Sequence, residues 1–165
     1  MEDIHTFISV LGDDKKTEIS RFVKYFENLS VKKQESIWKS LQERIKKLLD
    51  VTTIFELLDG PGDYDPAVLV WKKSTKDQAV AALIAVKSQF ESIADEDFIV
   101  DVMQSQIIEW IKTTEWGNGD VLWPTRYALT GLQQSPSPFE VAEVIGKDET
   151  IRRIDSGITA LSKIA

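Results

Sequence analysis

One segment of the chain holds the clearest signals for where helices begin and end: Leu122-Trp123-Pro124-Thr125-Arg126-Tyr127-Ala128-Leu129-Thr130-Gly131, followed by Ser135-Pro136-Ser137-Pro138-Phe139. Proline lacks a backbone N–H, so Pro124 fits the first turn of a helix, where that donor has no partner. Glycine accepts the left-handed conformation that usually closes a helix, so we expect this helix to end at Gly131. The segment therefore predicts a short helix, a loop with two Ser-Pro pairs, and a second helix starting near Pro138.

Arg126 is a charged residue within this otherwise apolar helix. We expect its guanidinium to point away from the helix, with the apolar edge of the proline-rich loop beside it. A planar fork of N–H donors next to rigid apolar surface suits a nucleobase that has been unstacked from its neighbours. The pattern therefore favours contact with an unpaired base.

The composition is that of a folded protein, with 42% apolar and 28% charged residues. The length of 165 residues suffices for one domain or for two small subdomains with a shared core. The chain has no cysteine, which excludes disulfides and thiolate metal sites and fits a reducing cytoplasm. No apolar run approaches the roughly 20 residues of a membrane span, so we expect no membrane contact.

The net charge of −7 is concentrated in the middle of the chain. Residues 1–50 carry ten Lys/Arg against nine Asp/Glu, residues 51–116 carry five against twelve, and residues 117–165 carry five against six. The two ends can therefore still present a local basic surface to RNA. The overall acidity argues against tight non-specific binding of nucleic acid, which depends on many phosphate contacts.

Apolar residues recur every three or four positions along most of the chain, and no stretch alternates as a strand does. We expect one helix to start after Asp95-Glu96-Asp97 and to end at Gly117-Asn118-Gly119. In the helix over 75–92, we expect burial of Val80, Leu83, Ile84 and Phe90. Further helices are predicted over 17–28, 32–49, 51–58 and 147–163. The fold class is therefore all-α, with roughly eight to ten helices.

Three motifs resemble the C-terminal end of bacterial glutamyl-tRNA synthetases. The family pattern Pro-x-Arg-x-Ala-Leu-Thr-Gly is similar to residues 124–131, and the loop Ser/Thr-Pro-x-Leu-Phe-Glu is similar to residues 135–140. The helix Leu-Gly-Lys-Glu-x-x-x-x-Arg is similar to residues 145–153. The resemblance implies a helical-cage anticodon-binding domain with two small helical subdomains. We expect these subdomains over 17–70 and 71–165, after an N-terminal segment over 1–16.

The resemblance also implies which residues hold the anticodon. In the family, the arginine of the first motif contacts the anticodon, and the loop motif forms the pocket for the first two anticodon bases. An arginine on an earlier helix reads the third base. The corresponding residues are Arg44, Arg126, Ser135, Pro136, Pro138 and Phe139. Pro138 stands where the family usually has leucine. The residues alone leave open that Phe139 packs in the core and that Arg126 only bridges helices.

The sequence offers no candidate for catalysis. There is one histidine, no nucleophile motif and no metal-ligand spacing, and the carboxylates lack an adjacent base. In the resembling family, ATP is handled by a His-Ile-Gly-His motif and a Lys-Met-Ser-Lys-Ser-like loop, and this chain has neither in the right context. We therefore expect no catalytic site, metal or cofactor here. ATP and Mg²⁺ belong to the catalytic domain of the parent enzyme.

The function that the resemblance implies is recognition of the tRNA(Glu) anticodon for a glutamate–tRNA ligase. The expected partners are tRNA(Glu) and the parent enzyme's catalytic domain, in the cytoplasm, and we expect the chain to be a monomer. Two alternatives remain. One is a free-standing helical domain that kept this fold and binds another protein through the acidic middle segment. The other is a complete enzyme of unknown type, which the residue inventory disfavours.

Overall fold

The computed structural model describes residues 60–72 and 74–164, together with four earlier positions, Asn28, Val31, Gln34 and Glu35. Apart from those four positions, the helices predicted over 17–28, 32–49 and 51–58 lie outside the described residues, and so does Arg44. The described residues form helices and no strands, which confirms the predicted all-α class.

Five α-helices and two short 3₁₀ helices follow one another in residues 60–164. In chain order they are the first 3₁₀ helix Pro66–Leu69, α1 Lys76–Ser92, the second 3₁₀ helix Asp95–Asp97, α2 Val100–Lys112, α3 Asn118–Thr130, α4 Pro138–Ile145 and α5 Lys147–Ser162. The helices predicted over 75–92 and 147–163 are therefore confirmed as α1 and α5. A total of eight to ten helices for the whole chain stays a prediction.

Capping residues, glycine and proline fix the ends of several helices. Thr75 caps α1, because its Oγ1 accepts a hydrogen bond from the N–H of Gln78 and the Gln78 side chain accepts one from the N–H of Thr75. Gly131 closes α3 with a φ of 68°, in the left-handed region, as predicted. Pro138 is the first residue of α4, also as predicted.

The start of α3 differs from the prediction. The helix begins at Asn118, so Pro124 lies in its middle and not in its first turn. The carboxylate of Asp120 accepts a hydrogen bond from the N–H of Gly117 over 3.0 Å and so caps the helix at Gly117. The glycine-rich segment therefore starts α3, whereas α2 ends earlier, at Lys112. Pro124 has no N–H for the helical hydrogen bond at its position, and its side chain is buried.

The core lies between α1, α3 and α5, which pack against one another, while α4 packs against α2, α3 and α5. The rings of Phe90 and Phe98 join α1 to the start of α2, with centroids 5.9 Å apart. Leu69 from the first 3₁₀ helix is fully buried in the same core. Near the crossing of α3 and α5, a Cβ on Gly157 would lie 3.0 Å from the Cβ of Ala128, so the two helices approach closely.

One predicted core residue is on the surface. Ile84 is 49% exposed, although Leu83 and Phe90 are buried as predicted and Val80 is partly buried. Adjacent residues on an α-helix are about 100° apart, so Leu83 and Ile84 cannot both face the centre of the core. The stripe that α1 buries is Ala79, Ala82, Leu83, Val86 and Phe90.

Candidate functional site

The end of α3 positions the loop that carries the Ser-Pro pairs. Gly131 is held tightly there, since a Cβ on it would collide with the carbonyl oxygen of Pro61 and approach the ring of Tyr64. The hydroxyl of Thr130 donates to the carbonyl oxygen of Arg126 over 2.8 Å and accepts from the N–H of Leu132 over 3.1 Å. The first residues of the loop are therefore fixed to the last turn of α3 through the Thr130 hydroxyl, which also bonds to the backbone of Arg126.

The loop divides into an exposed half and a buried half. Ser135 and Pro136 are partly exposed, and the Ser135 hydroxyl donates to the carbonyl oxygen of Pro136 over 2.9 Å. Ser137 caps α4 through reciprocal bonds with Glu140. The two residues that open α4 are buried, namely Pro138 and Phe139, and Phe139 is only 3% exposed. Of the four predicted loop residues, Ser135 and Pro136 are thus the ones open to a ligand.

Arg126 lies on the partly exposed face of α3. That face consists of residues at helical spacing: Gly119, Leu122, Trp123 and Arg126. Within the part of the chain that the structure describes, the Arg126 guanidinium makes no hydrogen bond and no ion pair. Its five donors are therefore available to a ligand.

The two arginines of α5 have a different environment. Arg152 is a surface residue that holds Glu149 with two hydrogen bonds of 2.6 Å. Arg153 is 1% exposed, donates to Glu149 over 2.6 Å and donates to the carbonyl oxygen of Leu129 over 2.8 Å. The hydrogen bonds from Arg152, and next those from Arg153, lower the pKa of Glu149 from 4.5 to about 2. Arg153 therefore holds the last turn of α3 through the carbonyl oxygen of Leu129, and it is not available to a ligand.

Aromatic residues extend the α3 face away from Arg126. The rings of Trp123 and Tyr127 have centroids 5.1 Å apart, and those of Trp123 and Trp71 have centroids 4.5 Å apart. The indole N–H of Trp123 donates to the carbonyl oxygen of Val68 over 2.8 Å, which fixes the orientation of the ring. The ammonium of Lys72 lies 4.4 Å from the centre of the Trp71 ring.

Asp120 joins this aromatic group to the start of α3. Its carboxylate accepts from the Ser74 hydroxyl over 2.6 Å in addition to the N–H of Gly117. Gly119 lies against the indole of Trp71, and a Cβ at this position would collide with that ring. No pattern in the sequence predicted a role for Asp120, and Gly119 was predicted only as part of the segment that ends the preceding helix. The signal was present in the spacing Gly117-x-x-Asp120, which is the spacing of a helix cap.

The described residues contain no group of three or more His, Asp or Glu side chains that could hold a metal ion. None of the helices in this part of the chain is long and apolar enough to cross a membrane.

A family model described as "Anticodon binding domain" matches residues 17–158. The chain belongs to the anticodon-binding domain family. The match includes α3, the Ser-Pro loop, α4 and most of α5, and it ends before the last residues of the described region.

Curated relatives of this anticodon-binding domain are glutamate–tRNA ligases. The protein of Clostridium acetobutylicum is 36% identical over 139 residues, which cover 83% of this chain and 28% of that protein. The protein of Flavobacterium johnsoniae is 32% identical over 126 residues, which cover 76% of this chain and 24% of that protein. The chain thus spans about a quarter of the length of these relatives.

Solved structures show the same fold. The crystal structure of a glutamate tRNA ligase from Elizabethkingia meningosepticum matches with a TM-score of 0.60 and 21% identity, over 94% of this chain and 31% of that one. A glutamate-tRNA synthetase from Elizabethkingia anophelis matches with a TM-score of 0.56 and 22% identity, over 94% and 30%. The described helices of this anticodon-binding domain therefore have the arrangement found in part of these larger enzymes.

Proposed function

We propose that this anticodon-binding domain recognises the anticodon of tRNA(Glu) for a glutamate–tRNA ligase. The domain positions the tRNA, and a separate catalytic domain that uses ATP and Mg²⁺ carries out aminoacylation. The relatives that match across most of the chain are named glutamate–tRNA ligases, which supports this choice of tRNA. We also propose that the domain works as a monomer in the cytoplasm.

The proposal depends chiefly on the exposure of Arg126 and on its lack of a partner among the described residues. Its guanidinium is partly exposed and makes no hydrogen bond or ion pair within the described residues, although this region is rich in carboxylates. A base edge or a phosphate offers the acceptors that this side chain lacks. Ser135 and Pro136 are partly exposed on the loop that follows α3, and they add a hydroxyl and an apolar ring to the proposed set.

Pro138 and Phe139 have a different role in this proposal. Both are buried, so they shape the wall behind the exposed half of the loop. Their contact with a base stays a prediction, and it would require a movement at the start of α4.

Arg44 completes the proposed set, as the residue that reads the third anticodon base. An arginine offers several donors to a base with an acceptor edge and fewer favourable contacts to a larger base that carries a donor. Two stem-loops that differ only at that base should bind the unchanged domain with different free energies. We expect Arg44→Gln to reduce this difference by roughly 1–3 kcal/mol. Equal affinities of the unchanged domain for the two stem-loops would argue against this role.

The whole architecture is part of the proposal. We propose that the domain has eight to ten helices arranged as a helical cage, with subdomains over 17–70 and 71–165. We also expect the purified chain to support no glutamate-dependent pyrophosphate exchange, because its sequence lacks the ATP-handling motifs.

A binding titration with an anticodon stem-loop of tRNA(Glu) tests the role of Arg126. We expect Arg126→Ala to weaken binding by about 1–3 kcal/mol, the value of a good contact between an arginine and a base. The matched control is Arg152→Ala, which removes an exposed arginine whose ion-pair partner keeps a second arginine. A similar affinity for both variants would contradict the proposal.

A further inference from the structure

The anticodon pocket proposed above leaves one exposed feature of this face unused. Trp71, Lys72 and Trp123 form a continuous surface, which we call the Trp71 surface. The two indole rings have centroids 4.5 Å apart at an angle of 48°, and the Lys72 ammonium lies over the Trp71 ring. Trp71 and Trp123 are partly exposed and Lys72 is exposed, so a ligand can reach all three.

The Trp71 surface adjoins Arg126. Trp123 and Arg126 are three residues apart on α3 and lie on the same face of that helix. Trp71 packs against this face at Gly119, where a side chain larger than hydrogen would collide with the indole. A cation therefore stands at each end of the face, with two indole rings between them.

This face carries two cations that lack a carboxylate partner in the described part of the chain. Elsewhere in the described region most Lys and Arg side chains pair with carboxylates, namely Lys87, Lys112, Lys147, Arg152 and Arg153. The exceptions are Lys76, which donates to the carbonyl oxygen of Ile164, and Lys163 at the end of α5. Lys72 and Arg126 have no carboxylate partner among the described residues. Two unpaired cations on one face of an acidic region indicate an anionic partner.

The side chains around Trp71 indicate which kind of anionic ligand this surface can bind. A shallow surface cavity of about 380 Å³ is lined by Trp71, Lys72, Ser74, Gln78 and Asp120. A flat indole offers a stacking surface to any base, an ammonium offers a contact to a phosphate, and the polar side chains suit sugar or base edges. Lys72 also has a φ of 37°, which is uncommon for a residue with a side chain.

We propose that the Trp71 surface binds a nucleotide of the same RNA that lies outside the three anticodon bases. The base stacks on the indole of Trp71, and the Lys72 ammonium moves from the ring to the phosphate. This inference rests on the proposed function, since it assumes that Arg126 already holds an RNA loop. It adds a contact that depends on the stacking of a flanking nucleotide and not on the identity of the anticodon.

A charge reversal with a matched control tests the phosphate contact. Lys163 is also an exposed lysine without a carboxylate partner among the described residues, but it lies at the end of α5. In titrations with the tRNA(Glu) anticodon stem-loop, we expect Lys72→Glu to weaken binding on the order of tenfold and Lys163→Glu to change it less than about twofold. For Lys72→Ala, the slope of log affinity against log salt should fall by roughly 0.7, the value for one phosphate contact on a single strand.

Photocrosslinking tests the stacking contact. Photoreactive uridines are placed one at a time in the loop of the stem-loop, and the linked peptide is identified by mass spectrometry. We expect a crosslink to Trp71 from a nucleotide next to the anticodon. Gly119→Ala should abolish this crosslink because its methyl group displaces the indole. Circular dichroism of each variant confirms that it is folded.

The outcomes separate the two proposals. If the unchanged domain binds the stem-loop, Arg126→Ala weakens binding, and Lys72→Glu behaves like Lys163→Glu with no crosslink to Trp71, then the nucleotide site is wrong and anticodon recognition stands. If the unchanged domain does not bind the stem-loop at all, anticodon recognition is wrong and the nucleotide site falls with it.

Discussion

The Nη1 atom of Arg153 donates a hydrogen bond to the carbonyl oxygen of Leu129 over 2.8 Å and so ties α5 to the last turn of α3. Leu129 lies two residues before Gly131, where α3 ends and the Ser-Pro loop begins. Arg153 is buried and is also held by Glu149. The position of the proposed anticodon loop therefore depends on a buried arginine that itself has no access to the RNA.

We expect Arg153→Met to lower the free energy of unfolding by about 1–3 kcal/mol, because the buried carbonyl of Leu129 loses its donor. Arg152→Met is the control, since it removes a surface partner of the same Glu149 and should change stability by less than about 1 kcal/mol. Urea unfolding followed by circular dichroism measures both. An equal decrease in the free energy of unfolding for the two variants would contradict a stabilising role of the hydrogen bond to Leu129.

The Glu149 carboxylate gives the domain a defined sensitivity to acid. Its pKa is lowered from 4.5 to about 2 by the hydrogen bonds from Arg152 and Arg153, so the folded state favours the charged form. A lowered pKa contributes stability that is fully present above about pH 4.5 and is lost as the pH falls towards 2. The measurement is the urea midpoint as a function of pH.

The comparison for this pH dependence is Glu149→Gln. The variant should be less stable than the unchanged domain at neutral pH, and the difference between the two should shrink as the pH falls below 4.5. Other carboxylates titrate in both proteins and cancel in the difference. A constant difference from pH 7 to pH 2 would contradict the assignment.

The turn at Gly131 offers a test of backbone geometry. We expect Gly131→Ala to destabilise the domain by more than about 1 kcal/mol, because φ is 68° and the new methyl group would also collide with the Pro61 carbonyl. Gly62→Ala is the control, since Gly62 has a φ of 60° but no atom within 4 Å of an added Cβ. Thermal unfolding of the two variants separates strain from collision. A larger effect at Gly62 would contradict the close approach at Gly131.

Local signals in the sequence predicted the parts of the fold that depend on local chemistry. Gly131 as the end of α3 and Pro138 as the start of α4 were predicted, because each follows from the conformation of one residue. The predicted start of a helix at residue 75 agrees with the cap that Thr75 forms on α1. The prediction for Pro124 was wrong because a preference for the first turn of a helix is weak. Two features instead start the helix earlier, at Asn118. One is the tertiary packing that buries Pro124, and the other is the cap formed by Asp120.

The candidate site was only partly predictable for a related reason. A motif identifies which residues occur together in sequence but not which of them reach the surface. Ser135 and Pro136 are partly exposed, whereas Phe139, predicted with them, lies in the core. The tilted packing of Trp71 against Trp123 joins residues 52 positions apart in the chain, and helical periodicity carries no information about such a contact.

The most direct test of anticodon recognition is a pair of binding titrations with the unchanged domain. The two RNAs are the anticodon stem-loop of tRNA(Glu) and the same stem-loop with an unrelated anticodon, measured at one salt concentration. We expect the first to bind more tightly by at least about 1–3 kcal/mol, the contribution of one specifically read base. We also expect a folded Arg126→Ala variant to lose most of this difference. Equal affinity for both stem-loops would contradict the account.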